Sequence, residues 1–135
     1  METSTLEFKW MSIFTESQMQ FLLANGKMHL NDHNCIPGAY LKGKDCEWLI
    51  SELYEDNPHL AFGLFSSEQI PPRIGFIELK TFDDFRREGR YIFNKPGFET
   101  QTNLLTFKAV SETFGRVTID EDLLDHVFNK LRHVD

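Results

Sequence analysis

Four residues of types that bind zinc lie in one polar stretch of the sequence and just beyond it: His29, His33, Cys35 and Cys46. Two His and two Cys side chains can complete a tetrahedral zinc site, and a spacing of four places His29 and His33 on one helical turn. The order His-His-Cys-Cys and the single residue between His33 and Cys35 match no standard zinc finger. The sequence therefore favours the alternative, a solvated loop with a free Cys35 near a buried Cys46, and we expect no metal or other cofactor.

Two glutamates, Glu52 and Glu78, are the candidate catalytic residues. Each is predicted to share a strand face with two large apolar residues: Trp48 and Ile50 for the first, Ile74 and Phe76 for the second. If both glutamates face one side of a three-strand meander, two strand spacings separate them by roughly 10 Å. That gap suits two carboxylates acting on one substrate through a water. Both also lie near strand ends, where a carboxylate reaches solvent, so the sequence favours a structural role.

Other catalytic signatures are missing from the sequence. The eight glycines are scattered, so there is no Gly-rich loop for a phosphate. No Gly-x-Ser-x-Gly or Ser-x-x-Lys motif is present. These observations favour a non-enzymatic interaction or regulatory module. A small metal-dependent or carboxylate-based hydrolase stays open as an alternative.

Aromatic residues supply the candidate binding residues. Thirteen residues are Phe, and because Phe has no polar atom most of these rings are expected in the core. Rings left outside would form an apolar patch, which marks a contact surface. The candidates for such a patch are Trp48, Phe62, Phe65, Phe76 and Tyr91. The predicted sheet also has edges that accept a strand from a partner, so we expect the partner to be another protein.

The charge and composition narrow the remaining classes. A net charge of −7, from 21 acidic residues against 14 Lys and Arg, argues against direct nucleic-acid binding, which needs a basic stripe. An acidic mimic of nucleic acid needs its acids on one face, and it stays a further alternative. Two cysteines make no disulfide framework, and no apolar run is long enough for a bilayer or resembles a signal peptide. We therefore expect a cytoplasmic protein with free thiols and no membrane contact.

The length fits one globular domain over residues 1–135. Short apolar segments bounded by Gly and Pro predict strands at Ala39–Leu41, Cys46–Tyr54, Leu60–Phe65 and Arg73–Lys80, with an edge strand at Tyr91–Phe93. Short connections make successive strands antiparallel neighbours. The strand beginning at Cys46 has apolar residues on both faces, which predicts an interior position.

Helices are predicted before and after these strands. Thr15 and Gln18 have the spacing of a capping box, and Gly26 is expected to end the helix they begin. Thr81 is expected to cap a second, short helix. The segment Asn103–Phe114 fits both a helical and a strand pattern, and the glycine that follows it favours a helix.

A last helix is predicted from Asp120, because five apolar residues after it form one stripe at helical spacing. The sequence thus predicts an α+β fold, with an antiparallel meander of three to five strands packed against three or four helices.

Three motifs, Trp48–Leu53, Leu60–Leu64 and Ile74–Leu79, resemble those of a known family. The segment Tyr40–Phe93 that contains them is similar to uncharacterised small domains found on bacterial plasmids, phages and other mobile elements. That family usually has a Glu-Arg-Asp-like charged run after the short helix, whereas Tyr91–Lys95 has none here. The resemblance implies a fold and a mobile-element setting, and no activity comes with it.

Overall fold

A computed structural model describes residues 13–28 and 35–119, and it shows a five-stranded sheet with helices on both faces. The strands are β1 (Ala39–Lys42), β2 (Cys46–Leu53), β3 (Leu60–Ser67), β4 (Arg73–Glu78) and β5 (Phe93–Asn94). The helices are α1 (Glu16–Met28), α2 (Lys80–Arg87) and α3 (Leu104–Phe114). The predicted α+β class is confirmed, while the helix predicted from Asp120 lies outside the described residues. None of the three described helices is long and apolar enough to cross a bilayer.

The strand order in the sheet is β4-β3-β2-β1-β5, and every neighbouring pair is antiparallel. The predicted meander is confirmed, because β1 to β4 pair in the order of the sequence. The strand β2 is central and buried over nearly its whole length, as its apolar residues on both faces indicated. The predicted edge strand is only Phe93–Asn94, and it closes the sheet beside β1.

Two hydrophobic clusters pack on opposite faces of the sheet. On the first, called the α1/α2 face, Leu22 of α1 and Phe82 of α2 pack with Trp48 and Ile50 of β2. On the second, called the α3 face, Phe107 of α3 and its neighbours pack on the other side of the same strands. Seven of the eleven Phe residues that the structure describes belong to these two clusters or pack against them.

A β-bulge at Ser51 changes which side chains share a face of β2. Ile50 lies opposite Gly63 and Glu52 lies opposite Phe62, so Ser51 is an extra residue on this strand. The prediction that Glu52 shares a face with Trp48 and Ile50 is therefore wrong. Glu52 belongs to the α3 face because its register partner Phe62 packs there.

The helix α1 begins as predicted and ends later. The amide of Gln18 donates to Thr15 Oγ1 at 3.1 Å, and the amide of Thr15 donates to Gln18 Oε1 at 2.9 Å, which confirms the capping box. Gly26 does not end the helix, which continues to Met28. A Cβ on Gly26 would lie 1.9 Å from the carbonyl oxygen of Leu53, so this glycine lets α1 approach β2 closely.

The other two helices differ in how they begin. The residue before α2 is Leu79 and no side chain caps the first turn, so the prediction that Thr81 caps this helix is wrong. In α3, the side chain of Asn103 accepts a hydrogen bond from the amide of Thr106 at 2.9 Å. The helix α3 ends at Gly115 with φ of 77°, so the preference for a helix over a strand in this segment is confirmed.

Candidate binding surface

The outer side of β4 is an open edge of the sheet. Among the described residues, no strand pairs with β4 on the side away from β3. At the other edge, β5 has only two residues and Pro96 follows shortly after it. A short edge with a proline is poorly suited to strand pairing. The six residues of β4 are therefore the longer unpaired edge.

The register of β3 and β4 shows which backbone groups point outward. The amide of Leu79 donates to the carbonyl of His59 at 2.9 Å, so these two residues form a hydrogen-bonded pair. Hydrogen-bonded and non-hydrogen-bonded pairs alternate along an antiparallel ladder. The N–H and C=O groups of Ile74, Phe76 and Glu78 therefore point away from β3, toward the open edge.

Phe76 is the large exposed side chain on this edge. It is 52% exposed, although it lies in the middle of a strand. Its ring packs edge-on against Phe62, with the centroids 5.4 Å apart, and lies 6.2 Å from the ring of Tyr54. The exposed half of Phe76 is thus the outer end of an aromatic row that reaches into the core.

A cleft of about 550 Å³ begins beside Phe76 and runs to the end of α1. Its apolar lining comes from Leu23, Leu60, Tyr54 and Phe76. Its polar lining comes from Lys27, Glu55, Asp56 and Asn57. The volume lies within the range of ligand sites, about 300–1,000 Å³, and such sites are lined by a mixture of apolar and polar residues.

Tyr54 connects this cleft to a fully buried carboxylate. The Tyr54 hydroxyl donates a hydrogen bond of 2.6 Å to Glu52, which has no exposed surface. Burial, together with this hydrogen bond, raises the pKa of Tyr54 well above its ordinary value. The buried Cys35 lies close enough to Tyr54 to raise that pKa further. The phenol therefore stays neutral and fixes the ring on the wall of the cleft.

The two candidate catalytic glutamates share a face of the sheet. Glu52 lies opposite Phe62, which lies opposite Phe76, and Glu78 is two residues further along β4. Two strand spacings and a two-residue offset put their Cα atoms about 12 Å apart. Glu52 is buried and bonded to Tyr54, whereas Glu78 is exposed. The structure thus gives only Glu78 direct access to a substrate in solution.

The candidate zinc ligands are only partly described. His29 and His33 lie outside the described residues. Cys35 is buried. The side chain of Asn25 donates to the carbonyls of both Ile36 and Ser51, which places the neighbouring Cys35 near the end of β2. Cys46 begins the same strand, five residues before Ser51, which corresponds to about 16 Å. The structure does not bring the two cysteines together, and both are free thiols.

The other candidate binding residues divide between the core and the surface. Trp48 and Phe62 are buried in the two clusters, and Phe65 is partly buried against the first. Tyr91 is 77% exposed, but it precedes β5 at the opposite edge of the sheet from Phe76. The structure therefore leaves Phe76 and Tyr91 as exposed rings on two separate surfaces.

The tyrosine–glutamate pairs were not predicted from the sequence. Besides Tyr54 and Glu52, the hydroxyl of Tyr40 donates to buried Glu47 at 2.7 Å. Arg116 lies 4.0 Å from the same carboxylate. Burial and the bond to Glu47 raise the pKa of Tyr40 as well. Two glutamates in a strand that is otherwise apolar except for Ser51 are the signal that could have indicated buried polar pairs.

Comparison of this chain with protein-family models, with curated proteins and with solved structures finds no match. Over residues 13–28 and 35–119 the chain is an α+β domain in which the edge of β4 is unpaired and an aromatic cleft lies beside it.

Proposed function

We propose that this domain is an interaction module that binds an extended segment of a partner protein along the outer edge of β4. In this mode a peptide adds one strand to the sheet, its backbone bonds to the edge, and alternate side chains enter pockets. The observation that carries the proposal is the coincidence of an unpaired edge with an exposed aromatic ring, Phe76, in the middle of that edge.

The backbone groups of Ile74, Phe76 and Glu78 provide the hydrogen bonds for such a strand. Their side chains lie on the α3 face, where Ile74 already packs against the second cluster. A residue of the peptide opposite Phe76 would therefore contact its exposed ring. The next residue on the same face would reach the cleft lined by Leu60 and Tyr54.

The charges around the cleft favour a peptide with a basic residue near its apolar anchor. Glu55 and Asp56 line the cleft against a single lysine, Lys27, and the exposed Glu78 is two residues from Phe76. Complementary charge mainly sets the specificity and the rate of association.

The test is a selection of random peptides displayed on phage, followed by binding measurements on two substitutions at one position. Phe76→Ala removes the ring and is expected to weaken binding about tenfold. Phe76→Pro removes the ring and the outward N–H, which the β3–β4 ladder does not use. We expect it to weaken binding by about a further twofold to tenfold, because a hydrogen bond contributes about 0.5–1.5 kcal/mol net.

Amide hydrogen exchange gives an independent measurement on the unmodified protein. On addition of a selected peptide, the amides of Phe76 and Glu78 should become protected, whereas those of Gly75 and Ile77 are already protected by β3. Leu105→Ala, which removes an exposed apolar side chain of α3, is the matched control. Equal affinity of the peptides for the Phe76→Pro variant and the wild type, with no new protection, would contradict the proposal.

A further inference from the structure

A second cleft, of about 530 Å³, lies between the β1–β2 turn and the chain that leads from α2 to β5. Three cationic and three aromatic residues contribute to its lining: Lys42, Lys44, Arg90, Phe85, Tyr91 and Phe93. It is separate from the surface beside Phe76, because β1 and β5 are at the other side of the sheet from β4.

The charge of this cleft is opposite to that of the chain. The chain carries a net charge of −7, yet Asp45 is the single acidic residue of the lining. Within residues 13–28 and 35–119, no ion pair involves Lys42 or Lys44. Glu47 lies opposite Lys42 on the neighbouring strand, but its carboxylate is buried and accepts a hydrogen bond from Tyr40. The two lysines therefore keep positive charge with which the cleft attracts an anion.

Arg90 forms a fixed wall of the cleft. Its guanidinium lies 3.7 Å from the centroid of the Phe85 ring and also forms an ion pair with Glu88. The ring and the carboxylate together hold the guanidinium in place. Glu88 offsets part of the Arg90 charge, so the two lysines provide most of the attraction for an anion.

Two of the rings that line the cleft are exposed. Tyr91 is 77% exposed and Phe93 is 43% exposed. An exposed aromatic ring beside lysines is the arrangement that stacks a nucleobase while the cations contact its phosphate. An acidic peptide would use the lysines and leave the exposure of Tyr91 unexplained.

We propose that this cleft binds a nucleoside phosphate, with the base stacked on Tyr91 and the phosphate contacted by Lys42 and Lys44. The cleft volume lies within the range of small-molecule sites, about 300–1,000 Å³. The net charge of −7 disfavours a long polyanion, because repulsion accumulates along a strand, so a free mononucleotide is the favoured source.

The test is an NMR titration of the full chain with AMP, adenosine, inorganic phosphate and a short single-stranded oligonucleotide as separate probes. We expect AMP to shift the amide resonances of Lys44 and Tyr91. Adenosine and inorganic phosphate should each bind at least about tenfold more weakly than AMP. If the oligonucleotide binds more tightly than AMP and shifts the same amide resonances, the nucleoside phosphate that the cleft binds is the end of a nucleic-acid strand. No shift with either nucleotide probe, or equal binding of phosphate and AMP, would overturn the proposal.

Two substitutions and a matched control separate stacking from charge. Tyr91→Ala and Lys44→Glu should each weaken AMP binding by about tenfold or more. Lys80→Glu makes the same charge change at the other end of α2, away from the cleft, and should leave binding unchanged. If Lys80→Glu weakens AMP binding as much as Lys44→Glu does, the proposal is also overturned, because the net charge of the protein would then explain the attraction. Thermal unfolding of each variant verifies that it is folded.

Discussion

The hydroxyl of Tyr54 donates a hydrogen bond of 2.6 Å to the side chain of Glu52. A residue on the wall of the cleft thus binds a glutamate that has no exposed surface. Removing the hydroxyl leaves the carboxylate with one donor fewer. We expect Tyr54→Phe to lower the free energy of unfolding by about 1–3 kcal/mol, measured by urea denaturation. Tyr91→Phe, at the most exposed tyrosine, is the control, and an equal loss in both variants would contradict the explanation.

The stability of the protein should fall at alkaline pH because of Tyr40 and Tyr54, whose hydroxyls are hydrogen-bonded to glutamates. Burial raises the pKa of both Tyr40 and Tyr54 in the folded state. Above the ordinary tyrosine pKa of about 10, the unfolded chain loses these protons while the folded chain keeps them. The contribution of the two tyrosines to the free energy of unfolding is therefore fully present below about pH 10. It is lost as the pH rises further, by at most about 1.4 kcal/mol per pH unit for each tyrosine.

Urea denaturation at a series of pH values measures this dependence. Above about pH 10 the free energy of unfolding should fall less steeply with pH in Tyr40→Phe and in Tyr54→Phe than in the wild type. Each variant lacks one of the two protons that the unfolded chain releases. A slope that is the same in the wild type and in both variants would show that other groups cause the loss.

Close packing of α1 against β2 predicts a large effect at one glycine. Replacing Gly by Ala inside an exposed helix normally stabilises it by about 1 kcal/mol. In Gly26→Ala the new Cβ would lie 1.9 Å from the carbonyl oxygen of Leu53. We therefore expect a net loss of about 1–3 kcal/mol in the free energy of unfolding. Gly75→Ala, whose Cβ would meet only Phe65 at 4.0 Å, should change it little, and a stabilised Gly26→Ala would refute the packing argument.

The helix caps predict different effects for two threonines. Thr15→Val removes the hydroxyl that accepts from Gln18 and should cost about 1 kcal/mol. Thr81→Val removes a hydroxyl that caps nothing in α2 and should change the free energy of unfolding by less than about 0.5 kcal/mol. Thermal or urea unfolding of both variants compares them directly, and a reversal of the order would contradict the cap assignment.

The separation of the two cysteines predicts how metal binding responds to substitution. Because Cys46 begins β2 while Cys35 lies near its end, one ion cannot contact both thiols. We expect Cys46→Ser to leave the zinc content of protein purified without chelators unchanged, as measured by atomic emission. Loss of a stoichiometric zinc ion in this variant and also in Cys35→Ser would contradict this expectation and favour the alternative four-residue zinc site.

Local signals in the sequence were sufficient for much of the fold. The capping box at Thr15 and the glycine after Phe114 act within one helical turn, so the residues themselves indicate the helix ends. The role of Gly26 depends on a carbonyl of another element, and a local pattern predicts a helix end there instead. The faces of β2 were predicted wrongly after Ile50, because a bulge is decided by pairing with the next strand.

The candidate site was predictable in its residue types and not in its location. Phe76 was among the aromatic candidates, but so were Trp48 and Phe62, which are buried. Exposure of a ring depends on which helix covers its part of the sheet, and that information comes from tertiary packing. Glu52 and Tyr54 are two residues apart and share a face by strand alternation, but which face of the sheet they occupy depends on the bulge at Ser51.

The bulge at Ser51 also affects how this strand should be compared with others across evolution. Trp48, Leu49 and Ile50 alternate between the faces, and the alternation resumes at Glu52 as if Ser51 were not counted. In a homologous strand that lacks the extra residue, all the remaining side chains would stay on their present faces. An alignment to such a strand should therefore open a one-residue gap at Ser51, and an ungapped alignment would match core positions of one protein with those of the wrong layer in the other.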